Sequence, residues 1–145
     1  MIEFKEIDRE NFWEVVDLKV TKEQNYFVAS NAISIAQSKV QPECIPYAVY
    51  YDETLIGFVM YCLDAKDNEY WIYRMMIEQK FQGKGYGYKT LEKLIQMIKE
   101  KDVSKHKIYL DVVINNKVAI SLYKKLGFEF DGRIIENEHV MVLEY

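Results

Sequence analysis

The sequence predicts a mixed α+β fold, an α/β three-layer sandwich with one central sheet of about six to seven strands flanked by about four helices. Three observations carry this expectation. Apolar residues recur with the strand period in seven short segments and with the helical period in four others, in the order β-α-α-β-β-β-α-β-α-β-β. A strand, a glycine-rich loop, a helix and a strand follow one another over residues 69–114, and such a crossover makes its two strands parallel. The remainder of the sheet reads as antiparallel. The length of 145 residues suits a single domain, 1–145, with a sizeable core.

Residues 2–7 alternate apolar and polar and read as the first strand. Asp8 is placed to cap a helix from about Arg9 to Lys22, with Phe12, Val15, Val16 and Val20 on one face. A second short helix covers about Ser30 to Lys39, and Gln41-Pro42-Glu43 breaks it. Tyr47 to Tyr51 and Leu55 to Leu63 read as strands joined by a hairpin at Asp52-Glu53-Thr54. After the polar loop Asp64 to Asn68, a third strand runs from about Glu69 to Ile77. The glycine loop comes next, then a helix to about Lys101 with Leu91, Leu94, Ile95 and Ile98 on one face. Lys107 to Ile114 is apolar enough for a central strand. Val118 to Leu126 is helical and stops at Gly127, which suits a left-handed cap. Phe128 to Ile135 and His139 to Leu143 complete the sheet.

Half the residues are hydrophobic and 29% are charged, a globular balance. A net charge of −4 speaks against nucleic acid as a partner, because phosphate contacts want a basic surface, and it suits a cationic small molecule. No apolar run approaches the roughly 18 residues that span a bilayer. The N-terminal stretch MIEFKEIDRE is charged and alternating, unlike a signal peptide, so no membrane partner and a cytoplasmic location are expected. Cys44 and Cys62, with His106 and His139, are too few for a disulfide framework or a structural metal site; the cysteines read as small buried hydrophobes.

Three of the chain's six glycines fall within Gly83-Lys84-Gly85-Tyr86-Gly87, between a strand and a helix start. A helix N-terminus has unpaired N–H groups and a partial positive charge, and glycines let the backbone touch an anion directly. Lys84 and Lys89 add positive charge nearby. A P-loop is excluded because Tyr88, not glycine, precedes Lys89-Thr90, and a dinucleotide fingerprint fails at Tyr88 or Thr90, depending on the starting glycine. An ordinary tight strand-to-helix turn is the plain alternative.

Gln82-Gly83-Lys84-Gly85-Tyr86-Gly87 does fit the pattern Gln/Arg-x-x-Gly-x-Gly/Ala and resembles the pyrophosphate loop of the GCN5-related N-acetyltransferases (GNAT). The segment YRMMIEQKFQGKGYGYKTLEKLI resembles that family's strand, loop and helix. IYLDVVINNKVAISLYKKLGFEFDG resembles its next strand, asparagine loop, helix and following strand. The stretches YAVYYDETLIGFVMYCLD, WIYRMMIEQKFQGKGYG and NEHVMVLEY further resemble bacterial spermine/spermidine acetyltransferases of the diamine type. The resemblance implies a GNAT-like fold, acetyl-CoA as co-substrate, and acetyl transfer to a polyamine amine by direct attack in a ternary complex. Other readings are a different amine acceptor (a protein N-terminus, an amino acid or a drug) or a non-catalytic acyl-CoA sensor. The resemblance also leaves room for a homodimer.

Residue by residue, the resemblance implies that Gln82, Gly83, Lys84, Gly85, Tyr86, Gly87 and Tyr88 hold the pyrophosphate. Backbone groups of Met75, Met76 and Ile77 would pair with the pantetheine arm, and Asn116 would contact the cofactor. It implies Tyr123, in Ser121-Leu122-Tyr123, as the acid for the leaving thiolate. A phenol near pKa 10 can protonate a thiolate. The polyamine enzymes imply a carboxylate base on the strand before the loop, but Trp71-Ile72-Tyr73-Arg74 has none. Glu69 and Asp111 are the candidates in its place, with water chains as a substitute. Asp17, Glu23, Tyr26, Asp64, Asp67 and Glu69 are the acidic and aromatic residues available to an acceptor groove; Glu23, Tyr26 and Glu69 are the acceptor residues carried forward.

Overall fold

The computed structural model describes residues 1–20 and 30–145. Seven strands form one mixed sheet in the order β1-β2-β3-β4-β5-β7-β6. The strands are β1 (Ile2–Glu6), β2 (Cys44–Tyr51), β3 (Thr54–Leu63), β4 (Tyr70–Ile77), β5 (Lys107–Val113), β6 (Glu129–Ile135) and β7 (Glu138–Glu144). The helices are α1 (Phe12–Val16), α2 (Asn31–Val40), α3 (Tyr86–Lys101) and α4 (Lys117–Lys125). The β4–β5 pairing is parallel, and every other pairing is antiparallel. No helix among the described residues is long and apolar enough to cross a membrane.

Each face of the sheet has its own core. Leu91, Leu94, Ile95 and Ile98 of α3 are buried against Val59, Ile72, Ile108, Leu110 and Met141, as the helical spacing predicts. Val15 of α1 joins Cys44, Ala48, Phe58, Met60, Cys62 and Met76 on the opposite face. Both cysteines are free and buried, directly opposite each other across β2 and β3. The buried Asn31 donates from Nδ2 to the Val15 carbonyl oxygen (2.9 Å) and so ties α2 to α1.

Two elements depart from the sequence reading. Of the helix expected from Arg9 to Lys22, the described residues form a short one, Phe12–Val16, with Asn11 at its N-cap, and Thr21 and Lys22 lie outside the described residues. Asp8 instead closes the turn before it, its Oδ1 accepting from the Glu10 and Asn11 amides (2.8 and 3.0 Å). Beyond Asp17 the chain is drawn to the β4 exit: the Lys19 amide donates to Glu78 Oε2, and the Gln79 amide to the Lys19 carbonyl (2.7 Å). Tertiary contacts therefore override the helical pattern there. The second departure is β2, which starts at Cys44 and carries Pro46 inside it. Proline is tolerated because β1 ends at Glu6, opposite Tyr47, so no β1 carbonyl needs a donor at Pro46.

The hairpin turn is Asp52-Glu53, both with positive φ (46° and 71°), and Glu136-Asn137 repeats the device (49° and 69°). Gly127 caps α4 with φ +101°. The Gly127 amide bonds the Lys124 carbonyl and the Phe128 amide the Tyr123 carbonyl, both at 3.0 Å, closing the helix end as its sequence suggests.

Candidate active site

The sheet opens at its one parallel junction. β4 and β5 pair at Tyr70–Ile108 and Trp71–Tyr109 and then separate. The cause lies in β4. Opposite β3 the register runs Tyr61–Ile72 and then Met60–Arg74, so Tyr73 is an extra, bulged residue. A bulge bends its strand, and here the bend follows the last β5 pair directly. From Ile72 to Ile77, β4 presents its β5-facing backbone edge to a cleft. An extended chain bearing amides can add to such an edge as another strand. Met75, Met76 and Ile77 lie along it. Met76 and Ile77 are buried, while Met75 packs toward the start of α3.

The glycine loop lies at the end of this edge. A 3₁₀ turn, Gln79–Phe81, leads into it, and Gln82 Nε2 donates to the Ile77 carbonyl (2.8 Å), fastening the loop to β4. Gly83 and Gly85 have φ of +77° and +86°, a conformation that side chains resist, and open space surrounds both. Gly85 caps α3 with no side-chain bond to the first turn. Tyr86, Gly87 and Tyr88 form that first turn, so their amides belong to the helix end that attracts anions. Lys84 is exposed beside it, while Lys89 rests over the Tyr51 ring (5.5 Å). Edge and loop together fit a molecule with an extended amide-bearing arm and an anionic end.

α4 brings the other cofactor candidates. Asn116 is its N-cap, with Oδ1 accepting from the Ala119 amide (3.3 Å), which leaves its Nδ2 to donate to a ligand. Tyr123 packs edge-on against Phe128 (6.1 Å). Burial first, and the Asp111 charge second, push its phenol up to about 12. It therefore offers a proton throughout the neutral range.

Alternation places Tyr109 and Asp111 on the face opposite Ile108, Leu110 and Val112, which belong to the α3 core. Burial pushes the Asp111 carboxyl up, and the Arg74 charge partly offsets this. Glu138 of β7 is pushed up by burial, then by the Asp111 charge. Glu69 stands just before β4, at the closed end of the β4–β5 pair, with Oε2 buried and lacking a hydrogen bond among the described residues. Asp64 accepts from the Tyr73 hydroxyl (2.9 Å) and Asp67 from Trp71 Nε1 (2.8 Å), so both brace the β4 face. Asp17 is the exposed C-cap of α1. Glu23 and Tyr26 lie outside the described residues. The sequence reading passed over Trp71, Tyr73, Tyr109, Arg133 and Glu138 on this face. Strand alternation alone could have grouped Trp71 with Tyr73 and Tyr109 with Asp111.

The description of the Acetyltransferase (GNAT) family matches residues 4–128. The chain belongs to the GNAT acetyltransferase family. Its relatives within the family include the spermine/spermidine N(1)-acetyltransferase of Bacillus subtilis strain 168. The two are 36% identical over 150 residues, covering 99% of this chain and 98% of the relative. Among solved structures, the spermidine N-acetyltransferase from Vibrio cholerae in complex with CoA and spermine superposes with a TM-score of 0.75 at 19% identity. That match covers 99% of this chain and 95% of the other. An aminoglycoside acetyltransferase in complex with coenzyme A reaches 0.80 at 16% identity, again covering 99% and 95%. At these identities the two structures establish the GNAT fold.

Proposed function

We propose that this GNAT enzyme transfers the acetyl group of acetyl-CoA to a primary amine of a polyamine, spermidine or spermine, in a ternary complex. The observation that carries the transfer is the opening between β4 and β5; Asp111 on β5 and Tyr123, whose phenol feels the Asp111 charge, are the groups proposed to serve it. Full-length likeness to the Bacillus subtilis enzyme supports the acceptor class.

In this reading the amides from Gly83 to Tyr88 take the pyrophosphate, with Gln82 and Lys84 supporting the loop. The β4 edge at Met75, Met76 and Ile77 orients the arm, and Asn116 donates to it. One β4 amide polarises the thioester carbonyl; such a donor contributes about 3 kcal/mol in the transition state. Asp111 takes the proton that the acceptor ammonium must lose before it can attack. The neutral amine forms the new N–C bond, the C–S bond breaks, Tyr123 gives its proton to the departing sulfur, the second nitrogen proton restores the phenol, and Asp111 releases its own to solvent. A thiolate released into the same buried cleft is destabilised as the phenolate is, which favours the transfer despite the raised phenol. Glu69, at the closed end, is left to acceptor binding, as are Glu23 and Tyr26.

The reading extends to one catalytic domain over 1–145, a cytoplasmic location and a homodimer as the assembly to test. The test is thiol release from acetyl-CoA across a panel of amines. Efficient use of spermidine supports the reading. Preference for a peptide N-terminus or an aminoglycoside replaces the acceptor, and no release with any amine leaves an acyl-CoA sensor.

A further inference from the structure

The face that carries Asp111 also carries a device the reaction does not use. Trp71 and Tyr109 are partners at the closed end of the cleft, their rings stacked with centroids 5.0 Å apart. Trp71 is buried and fixed by its Nε1 bond to Asp67 (2.8 Å). The Arg133 guanidinium lies over both rings, 5.6 Å from the Trp71 centroid and 5.1 Å from that of Tyr109. Arg133 reaches there from β6, where the register with β7 slips between Phe130 and Ile134 and Gly132 takes φ +94°. Its other partner is Asp131, with Nε at 2.8 Å and Nη2 at 2.7 Å from Oδ2. The platform is thus part of the central sheet, while the cation on it belongs to an exposed edge strand.

We propose that the Trp71–Tyr109 platform seats the second ammonium of the acceptor, and that Arg133 holds this seat while no acceptor is bound. The proposal rests on the polyamine reading and deepens it. Two stacked rings attract any cation set over their faces, so a guanidinium already in place marks the seat as one for positive charge. Asp67 and Asp131 border it. Tyr109 and Asp111 are two residues apart on one strand and one face, about 7 Å, so an amine at Asp111 puts a neighbouring ammonium within reach of the rings. Arg133 keeps Asp131 as its partner when it leaves, so the exchange strands no charge. The consequence is selection. A tethered guanidinium competes with every incoming cation, and a monoamine engaged at Asp111 has no second charge to displace it.

Two variants and a fluorescence titration test this. With saturating acetyl-CoA, KM is measured for spermidine and for butylamine in the parent, Arg133→Gln and Tyr109→Leu. Removing the competitor in Arg133→Gln should lower the KM ratio of spermidine to butylamine by about threefold or more, and Tyr109→Leu should raise it by a similar factor. Trp13 and Trp71 are the chain's two tryptophans. In a Trp13→Phe background Trp71 alone reports, and spermidine added without acetyl-CoA should change its emission, with a lower midpoint in Arg133→Gln. An unchanged or higher ratio in Arg133→Gln overturns the proposal. If the parent uses butylamine as well as spermidine, the polyamine reading fails first. The titration then decides separately whether the platform takes a cation, and a silent Trp71 overturns that too.

Discussion

Tyr123 feels the charge of Asp111, and the protonation states of the two are pulled in one direction, because burial disfavours charge on each. Tyr123→Phe keeps the ring against Phe128 and removes the proton. We expect kcat to fall about 10²-fold with coenzyme A affinity held within about twofold, read by steady-state kinetics and calorimetry. Asp111 yields a forecast in pH. As the base it must be ionised, so the rate should climb with pH through its raised pKa, and Asp111→Asn should abolish that limb. The sign for stability is opposite. A carboxyl whose pKa is raised by folding binds its proton more tightly in the native state, so stability declines as pH rises through the folded pKa. Asp111→Asn and Glu138→Gln should therefore raise the melting temperature at neutral pH. The gain should vanish at acid pH, where the parent carboxyls are protonated; thermal melts at several pH values check this.

Among the elements, the start of α3 is the one whose backbone the ligand must touch. Gly85→Val forces a β-branched residue into φ +86° and puts a side chain into the open space above the helix end. Coenzyme A affinity should drop at least about tenfold in a variant whose circular dichroism matches the parent. This loop was legible in sequence because glycine clustering is a direct backbone signal. So were α3, α4 with its Gly127 cap, and the hairpin turn at Asp52-Glu53. The bulge at Tyr73 was not legible, since one extra residue in a strand changes no composition and little periodicity. It resets alternation after Ile72, so the faces taken by Arg74 to Ile77 went unread with it. Arg133 joins Trp71 and Tyr109 through an irregular β6 paired across the sheet, a long-range contact that local pattern does not encode. The helix expected from Arg9 stopped short at Val16 for a related reason: Lys19 is held by Glu78 and Gln79, about sixty residues away.

At the scale of the whole molecule, the fold leaves the acceptor open, for spermidine and aminoglycoside enzymes superpose on it about equally well. Charge is the broader guide. With a net charge of −4, long cations should be favoured, and KM should rise from spermine to a diamine to a monoamine. It should also rise with salt, as single exposed pairs contribute at most about 1 kcal/mol and are screened. Assays at fixed acetyl-CoA and two ionic strengths check both trends. The parting of β4 from β5 has a mechanical consequence. Four strands, β1 to β4, and three, β5 to β7, meet through two residue pairs and the α3 crossover. The protein is therefore two stiff plates on a narrow seam, and a ligand strand along β4 rivets one plate to the other. Coenzyme A should slow amide exchange at Ile72 to Ile77 most, and at 100 times its Kd should add about 2.7 kcal/mol to global stability. Exchange slowed evenly over the chain, with no excess at this seam, would show that the rivet sits elsewhere.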